Sequence, residues 1–386
     1  MARITTAAGL LAAGALLLAA CGQGGNEVAV QVEPSMTAVP TGTDSAAQTF
    51  DGIPNVVGTA DSDLTTPWGL DFLPNGVGVV TERTTGRILL ITPPSQNGSS
   101  SASVTDLGRI KTGIDSKGDG GLLGVAVSPD FSANPSLYFY ETTKKDNRVV
   151  RMPLSDAGLG QPTVIIKGIP AGRTDNGGQL RFGPDGDLYV GTGDAGRPQL
   201  AKSPTSLAGK ILRVAPDGKP ASGNPGKGPV WASGFRDVLG LAFDGNGQLW
   251  ATDAGVQQDE LNHVLPGANA GWPKVEGNSG GKSLTRPAIT WAPQRATPGG
   301  LAFVGGYLWL TGVQGQNLWR IKVDDGQAGD TTPYFGGSKG AASRYGALRS
   351  IALSPDGQLW LGTSNTDGAK HGKAGKATDR ILLIQP

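Results

Sequence analysis

The chain has 386 residues, a formal net charge of +1, 62 glycines, 27 prolines and one cysteine. A charge so close to zero gives no electrostatic basis for binding nucleic acid or a strongly acidic partner. The high glycine and proline content indicates a turn-rich, all-β protein. A single cysteine also excludes an internal disulfide.

The first residues have the features of a secretory signal. Arg3 provides a positive start, and residues 7–20 form an apolar run too short to span a bilayer comfortably. Cys21 follows Leu-Ala-Ala, and this arrangement resembles the lipid-modified cysteine of bacterial lipoproteins. We therefore expect a signal peptide over residues 1–20 and a lipidated Cys21 with a flexible tether over residues 21–51. The folded part would then lie outside the cytoplasm, anchored to the cell membrane by lipid.

From residue 52 onward the chain repeats one pattern six times. Each copy has a short apolar run, a tight turn of the Pro-Asp-Gly kind and a second apolar run. The copies begin at Trp68, Leu123, Leu180, Leu239, Gly300 and Ile351. They recur roughly every 50–60 residues, which is typical of propeller blades with about four strands each. Because one repeat cannot bury its sheet faces alone, residues 52–386 are predicted to form an all-β, six-bladed β-propeller.

The repeat also predicts which polar side chains share a face. The turn sends the chain back antiparallel, so the residue before the first strand and the residue after the second emerge together. These positions hold Asp119, Asp175, Arg236, Asp237 and Arg349 before the first strands, and Glu82, Glu141, Asp194, Asp253 and Asn365 after the second strands. Such a mixed cleft suits a hard cation such as Ca²⁺, or a polyhydroxylated ligand with a developing oxyanion.

Several motifs, in order, resemble those of the glucose/sorbosone dehydrogenase family, the soluble quinoprotein sugar dehydrogenases. They are Gly120-Gly-Leu-Leu-Gly-Val-Ala-Val-Ser-Pro-Asp-Phe, the segment from Asn176 to Asp194, Leu207-Ala-Gly-Lys-Ile-Leu-Arg-Val, Asp259-Glu-Leu-Asn and Gly267-Ala-Asn-Ala-Gly-Trp-Pro. The resemblance implies a propeller that holds pyrroloquinoline quinone (PQQ) and Ca²⁺. It also implies oxidation of an aldose at the anomeric carbon to a lactone, with the electrons passed to an acceptor.

The resemblance assigns catalytic roles residue by residue. Asp175 stands where the family has its histidine general base, and Asp194 matches the aspartate that orients this base. Arg236 matches the arginine that stabilises the reduced quinone. Asp119 stands where the family has a substrate-side Gln or Glu. The backbone carbonyls of Gly255 and Val256 correspond to the calcium ligands.

The quinone-contacting positions differ from the family pattern. Asp237 replaces an asparagine and Gln314 replaces a lysine. In the last blade Arg349 matches one family arginine, and Ala347 stands where the other would be. PQQ is a tricarboxylate, so these changes weaken its attraction to the site. An aspartate with a pKa of about 3.9 is also a poor proton acceptor, unless Asp175 and Asp194 lie close together and raise one another's pKa.

Two other functions therefore stay open at the level of sequence. One is a non-catalytic propeller that binds a carbohydrate or a cell-envelope partner, which the altered quinone contacts favour. The other is a Ca²⁺-dependent lactonase, which the carboxylate-rich channel would suit.

Overall fold

The computed structural model describes residues 52–93, 102–110, 114–279, 281, 283–336, 343–367 and 378–385. The predicted signal peptide, Cys21 and the tether lie outside these residues. Within the described ranges, no helix combines the length and the apolar composition that crossing a membrane requires.

The described chain forms six antiparallel sheets, which we call blades 1 to 6. The first strand, β1 (Asn55–Leu64), precedes blade 1 and belongs to blade 6. Blade 1 contains β2 (Pro67–Phe72), β3 (Gly78–Glu82), β4 (Arg87–Thr92) and β5 (Ser103–Arg109). Blade 2 contains β6 (Leu122–Val127), β7 (Ser136–Thr142), β8 (Asn147–Ser155), the short β9 (Gly158–Leu159) and β10 (Thr163–Ile169). Blade 3 contains β11 (Gly177–Phe182), β12 (Leu188–Thr192), β13 (Lys210–Val214) and β14 (Val230–Ser233).

The second half of the chain repeats this order. Blade 4 contains β15 (Val238–Phe243), β16 (Leu249–Asp253), β17 (Asp259–His263) and β18 (Ile289–Trp291). Blade 5 contains β19 (Pro298–Val304), β20 (Tyr307–Gly312), β21 (Asn317–Asp324) and β22 (Gln327–Tyr334). Blade 6 contains β23 (Leu348–Leu353), β24 (Leu359–Thr363) and β25 (Asp379–Gln385). Short 3₁₀ helices lie at Pro198–Leu200, Gly277–Ser279 and Pro293–Arg295.

The first strands of the blades lie side by side in a closed ring. Contacts run from β2 through β6, β11, β15, β19 and β23, and back to β2. Hydrogen bonds close the ring within blade 6, where β1 forms the outer strand and pairs antiparallel with β25 from Asn55↔Gln385 to Leu64↔Asp379. These contacts confirm the predicted six-bladed β-propeller, with a channel along its axis.

In five of the six blades, an aromatic residue of the second strand packs between neighbouring blades; the equivalent residue of blade 1 is Val79. Tyr138, Tyr189, Trp250, Trp309 and Trp360 occupy equivalent positions and are buried. Trp360 of blade 6 meets Phe72 of blade 1 edge to face, with ring centroids 4.9 Å apart. Aromatic pairs of this kind contribute about 0.5–1.5 kcal/mol beyond the burial of their area. Blades 6 and 1 are therefore joined by core packing as well as by the chain.

Threonines near the ends of the second strands link neighbouring blades beside the channel. The Thr81 hydroxyl donates to the Leu123 carbonyl in blade 2, and the Thr311 hydroxyl donates to the Arg349 carbonyl in blade 6 at 2.8 Å. A buried hydroxyl needs such a partner, because leaving it unpaired costs free energy. The bond from Thr311 fixes the backbone of Arg349 at the mouth of the channel.

Candidate functional site

A cavity of about 320 Å³ opens at the end of the channel where the predicted polar residues meet. All six blades or the segments that join them contribute to its wall. The predicted residues on the wall are Asp119, Arg236, Asp237, Gly255, Val256, Gln314 and Arg349. Arg349 lies inside β23 and not before it as the repeat predicted, and Gln314 is an exposed residue of the turn between β20 and β21.

Asp175 lies behind this wall and not on it. Its backbone has φ +58°, a left-handed conformation that aspartate tolerates better than most residues. The segment around it is held tightly, because a Cβ at Gly193 would lie 1.9 Å from the Asp175 carbonyl oxygen. The Asp175 carboxylate pairs with Arg236, Oδ1 to Nη2 at 2.8 Å, and accepts a hydrogen bond from the Thr174 hydroxyl at 2.9 Å.

Arg236 connects Asp175 to the cavity. Its Nη1 donates to the carbonyl of Ala254 at 2.8 Å and to that of Gly255 at 3.3 Å. Its backbone N–H donates to the carboxylate of Asp253, which also accepts from the N–H of Asp237. The guanidinium, which lines the cavity, is thus held at Nη2 by Asp175 and at Nη1 by the two carbonyls. A fixed cation of this kind can stabilise negative charge that develops on a ligand.

Asp194 is buried beside Asp175 and does not line the cavity. Its Oδ2 accepts a hydrogen bond from Trp272 Nε1 at 2.8 Å, and its Oδ1 accepts from the Gly196 N–H at 2.7 Å. Burial raises the pKa of Asp194; the Trp272 hydrogen bond opposes this rise, and the charge of Asp175 adds to it. The charge of Asp175 therefore acts on the carboxyl of Asp194, which two hydrogen bonds hold in place.

The carboxylates at the ends of the second strands serve mainly to hold backbone. Glu82 accepts the Thr65 N–H at 2.8 Å, and Asp253 caps the turn that carries Arg236 and Asp237. Burial and the nearby Glu260 raise the pKa of Asp253 well above its ordinary value. Neither Glu82 nor Asp253 lines the cavity. Their positions at the ends of the second strands therefore predict the correct end of the channel, but these two carboxylates are not part of the site.

A tight turn after β16 presents the carbonyls of Gly255 and Val256. The Gly255 N–H donates to Asp259 Oδ1 at 3.0 Å, and the N–H groups of Val256 and Gln257 donate to Glu276. Only glycine fits at 255, because a Cβ there would lie 1.8 Å from the Gln258 carbonyl oxygen. Within the described residues no group of three or more His, Cys, Asp or Glu side chains could hold a metal ion. A cation at this turn would therefore depend on the two carbonyls.

Two arginines of the wall are shielded from water: Arg83 is buried, and Arg349 is half-buried with its Nε fully covered. Burial lowers the pKa of Arg349, and its Nε has no hydrogen-bond partner among the described residues. Arg83 donates through Nη1 to the carbonyls of Gly118 and Gly120 and pairs through Nη2 with Asp367 at 2.7 Å. A buried guanidinium with an unpaired N–H is costly unless an acceptor meets it. Arg349, with Arg236, could hold an anionic ligand.

Sequence reasoning missed several residues of the wall. Arg83 directly follows the strand-end residue Glu82, and Asp367 lies two residues after Asn365, so a wider window at each strand end would have found both. Asp259 also lines the cavity, and burial raises its pKa to about 6. Trp68 and Leu239, which begin two of the repeats, provide the apolar floor.

The fold and the site define a six-bladed propeller with a polar, arginine- and aspartate-lined cavity at one end of its channel. The sequence profile of the family Glucose / Sorbosone dehydrogenase matches residues 64–372. The chain therefore belongs to the glucose/sorbosone dehydrogenase family.

Individual relatives support this assignment. The chain is similar to the PQQ-bound form of aldose sugar dehydrogenase from Streptomyces coelicolor, with 40% identity, a TM-score of 0.80, and coverage of 86% of this chain and 97% of that one. A putative oxidoreductase (glucose dehydrogenase) from Thermus thermophilus is 34% identical, with a TM-score of 0.75 and coverage of 85% and 99%. The aldose sugar dehydrogenase YliI of Escherichia coli strain K12 is 25% identical, over 78% of this chain and 88% of the relative.

Proposed function

We propose that the protein oxidises aldoses at the anomeric carbon with PQQ as its cofactor. The observation that carries this proposal is the buried Nε of Arg349, which lacks a hydrogen-bond partner among the described residues at the wall of a cavity of about 320 Å³. A carboxylate of the cofactor supplies the kind of acceptor that this N–H needs. The S. coelicolor relative holds the same cofactor. The residues present therefore fit the group.

The charge of the wall favours a metal ion beside the cofactor. Three arginines and four aspartates line the cavity, a formal excess of one negative charge that disfavours an anionic ligand. A divalent cation would make the net charge of the wall positive and so favour an anionic ligand. We propose that the carbonyls of Gly255 and Val256 hold Ca²⁺, because hard cations take oxygen ligands and the turn is rigidly fixed by Asp259 and Glu276.

The chain's own residues would then orient the substrate and handle its proton. Bound PQQ supplies an acceptor for the hydride of the anomeric carbon. Arg236 faces the cavity with both ends fixed, so it would stabilise negative charge without rearranging. Asp237 is held in place by the Gly177 N–H at 2.8 Å. Asp237, Gln314 and Arg349 would contact the cofactor, and Asp119 the sugar.

The proton of the anomeric hydroxyl needs an acceptor near the cavity. We propose Asp175 for this role, positioned by Asp194, because its carboxylate pairs with Arg236, which lines the cavity. Asp119 lies on the wall itself and is the competing acceptor. Loss of a general base typically lowers the rate by about 10²–10⁴-fold. Whichever of Asp175→Asn and Asp119→Asn shows this loss in kcat identifies the acceptor.

The experiment that tests the activity is dye reduction by purified protein loaded with PQQ and Ca²⁺. D-glucose, D-galactose and D-xylose serve as substrates, and protein without PQQ is the control. The proposal predicts aldose-dependent reduction that requires both additions, with a lactone as product. No reduction with any aldose, although PQQ is bound, would contradict it.

One observation favours a second function, carbohydrate binding without oxidation. The Asp175 carboxylate is already engaged by Arg236 and Thr174, which opposes its use as a base. In that case aldoses would bind to the protein, but Asp175→His would confer no activity even though histidine has a pKa near neutrality.

We also propose that the protein is lipid-anchored on the outer face of the cell membrane through Cys21. This follows from the sequence of the N-terminus, which resembles that of bacterial lipoproteins. Cys21→Ser should move the protein from the membrane fraction to the soluble fraction, because the lipid would be its only attachment. Retention of the variant in the membrane fraction would contradict the anchor.

A further inference from the structure

A second, wider cleft of about 540 Å³ adjoins the cavity. The two share Arg83, Asp119 and Asp367, so a ligand in one reaches the boundary of the other. The outer cleft is formed by the segments that enter and leave blades 1, 2, 3 and 6. Its lining differs in kind from that of the inner cavity.

The outer cleft presents hydroxyl groups. Six hydroxyl side chains line it: Thr65, Thr66, Thr84, Ser116, Thr174 and Thr366. Its two arginines, Arg83 and Arg173, are matched in number by two aspartates, Asp119 and Asp367. A lining with many hydroxyls and balanced charge suits a neutral ligand rich in hydroxyl groups, since each side-chain oxygen can both donate and accept.

Several of these hydroxyls are held in position by the protein. The Thr66 and Thr84 hydroxyls share a hydrogen bond of 2.7 Å, and the Thr174 hydroxyl donates to Asp175 at 2.9 Å. The Thr366 hydroxyl donates to Asp379. The Thr66 hydroxyl also accepts the Thr84 N–H at 3.2 Å, and the Thr366 hydroxyl accepts the Thr66 N–H at 3.1 Å, so both are fixed by the backbone as well. A fixed side chain loses less conformational entropy when it binds, so the cleft is organised before the ligand arrives.

Arg83 forms a rigid boundary between the two cavities. Two backbone carbonyls and Asp367 hold its guanidinium, and the Arg83 and Asp367 side chains are only 5% and 9% exposed. A sugar that reacts at its anomeric carbon must place that carbon in the inner cavity. A further unit attached through another hydroxyl can extend past this boundary into the outer cleft, because the two cavities share Arg83, Asp119 and Asp367.

We propose that the outer cleft binds the second and third units of a neutral oligosaccharide whose reducing end enters the inner cavity. The preferred substrate class is then a short oligosaccharide with a free reducing end and not a monosaccharide. The inference rests on the proposed function for the choice of the reducing end. The binding of the outer units depends only on the cleft itself.

The test is calorimetric titration of the protein, with and without PQQ and Ca²⁺, using three sugar pairs. These are cellotriose and maltotriose, each against D-glucose, and xylotriose against D-xylose. We expect at least one trisaccharide to bind about tenfold or more tightly than its monosaccharide, a difference of about 1.4 kcal/mol. Ser116→Trp, which fills the outer cleft, should remove this preference.

Controls separate blocking of the cleft from misfolding. Thr331→Trp places the same side chain at an exposed position on β22, the outermost strand of blade 5, which lines neither cavity, and should keep the wild-type preference. Thr84→Trp blocks the cleft from blade 1 and should act like Ser116→Trp. Circular dichroism spectra that match the wild type verify the fold of each variant.

The proposal is overturned if no trisaccharide binds more tightly than its monosaccharide, or if both blocking variants keep the preference. The titration measures binding and not oxidation. A preference for a trisaccharide in a loaded protein that oxidises no sugar would therefore mean that the cleft assignment is right and the proposed oxidation is wrong. Oxidation of glucose without any trisaccharide preference would mean the reverse, that the oxidation is right and the cleft assignment wrong.

Discussion

The ion pair between Asp175 and Arg236 should be a strong stabilising contact of the site, and a double-mutant cycle measures it. The perturbations are Asp175→Asn, Arg236→Gln and the double variant. Asparagine suits the left-handed backbone at 175, so Asp175→Asn removes the charge without adding backbone strain. Asparagine has nearly the size of aspartate, and glutamine keeps the first three carbons of the arginine side chain.

The magnitude follows from the geometry. Oδ1 and Nη2 lie 2.8 Å apart, and the Asp175 and Arg236 side chains are 6% and 21% exposed, so water screens the pair only weakly. Double-mutant cycles on close charge pairs give coupling free energies of about 1.5 kcal/mol or more. Arg236 keeps its two backbone carbonyl acceptors in the Asp175→Asn variant, so the loss should stay below the roughly 3–5 kcal/mol of a fully broken buried pair.

The assay is urea unfolding of cofactor-free protein, followed by tryptophan fluorescence. We expect a coupling free energy of about 1.5–3 kcal/mol between the two substitutions. A coupling below about 0.5 kcal/mol is within the range of independent sites. Such a value would refute the view that Asp175 is held by Arg236.

Three further predictions concern positions around the site and the ring. Trp272→Phe removes a hydrogen bond that favours ionised Asp194, so it should lower the unfolding free energy by about 1.5–3 kcal/mol at pH 8 and by less at pH 4, in urea titrations. Burial lowers the pKa of Lys210 to about 8, below its value in the unfolded chain, so the unfolded chain binds more protons above pH 8. The stability of wild type relative to Lys210→Met should therefore rise with pH between about 8 and 10.4, by about 3 kcal/mol in total, and a flat difference would contradict this. Trp360→Ala should cost about 3–5 kcal/mol through the cavity left against Phe72, and a loss under about 1 kcal/mol would mean that blades 6 and 1 do not depend on this contact.

The repeat predicts the fold well because its information is local. Each turn of the Pro-Asp-Gly kind specifies a hairpin, and six hairpins with two buried faces can only stack around an axis. The same logic identified the end of the channel where Asp119, Arg236, Asp237 and Arg349 meet. Closure by β1 was not visible, because its pairing with β25 joins the two ends of the described chain and leaves no local signal.

The details of the site depend on contacts between distant parts of the chain. Asp175 was expected to face the ligand, but Arg236, which lies 61 residues further along the chain, holds its carboxylate behind the wall. Arg83 pairs with Asp367 at a separation of 284 residues, so neither predicted the other. A carboxylate's position at the end of a strand shows at which end of the channel it lies, but not which group it binds. That is why Glu82 and Asp253, which cap backbone N–H groups, were grouped with the residues of the site.

Uptake of PQQ by the purified protein tests the central claim most directly. The measurement is equilibrium titration of the protein with PQQ in the presence of Ca²⁺, followed by gel filtration to establish what is retained. We expect one PQQ per chain, and Arg349→Gln should weaken binding about tenfold or more because a charge-assisted hydrogen bond is lost. Failure to retain PQQ with Ca²⁺ present, or equal binding by Arg349→Gln, would contradict the proposal that this cavity holds PQQ.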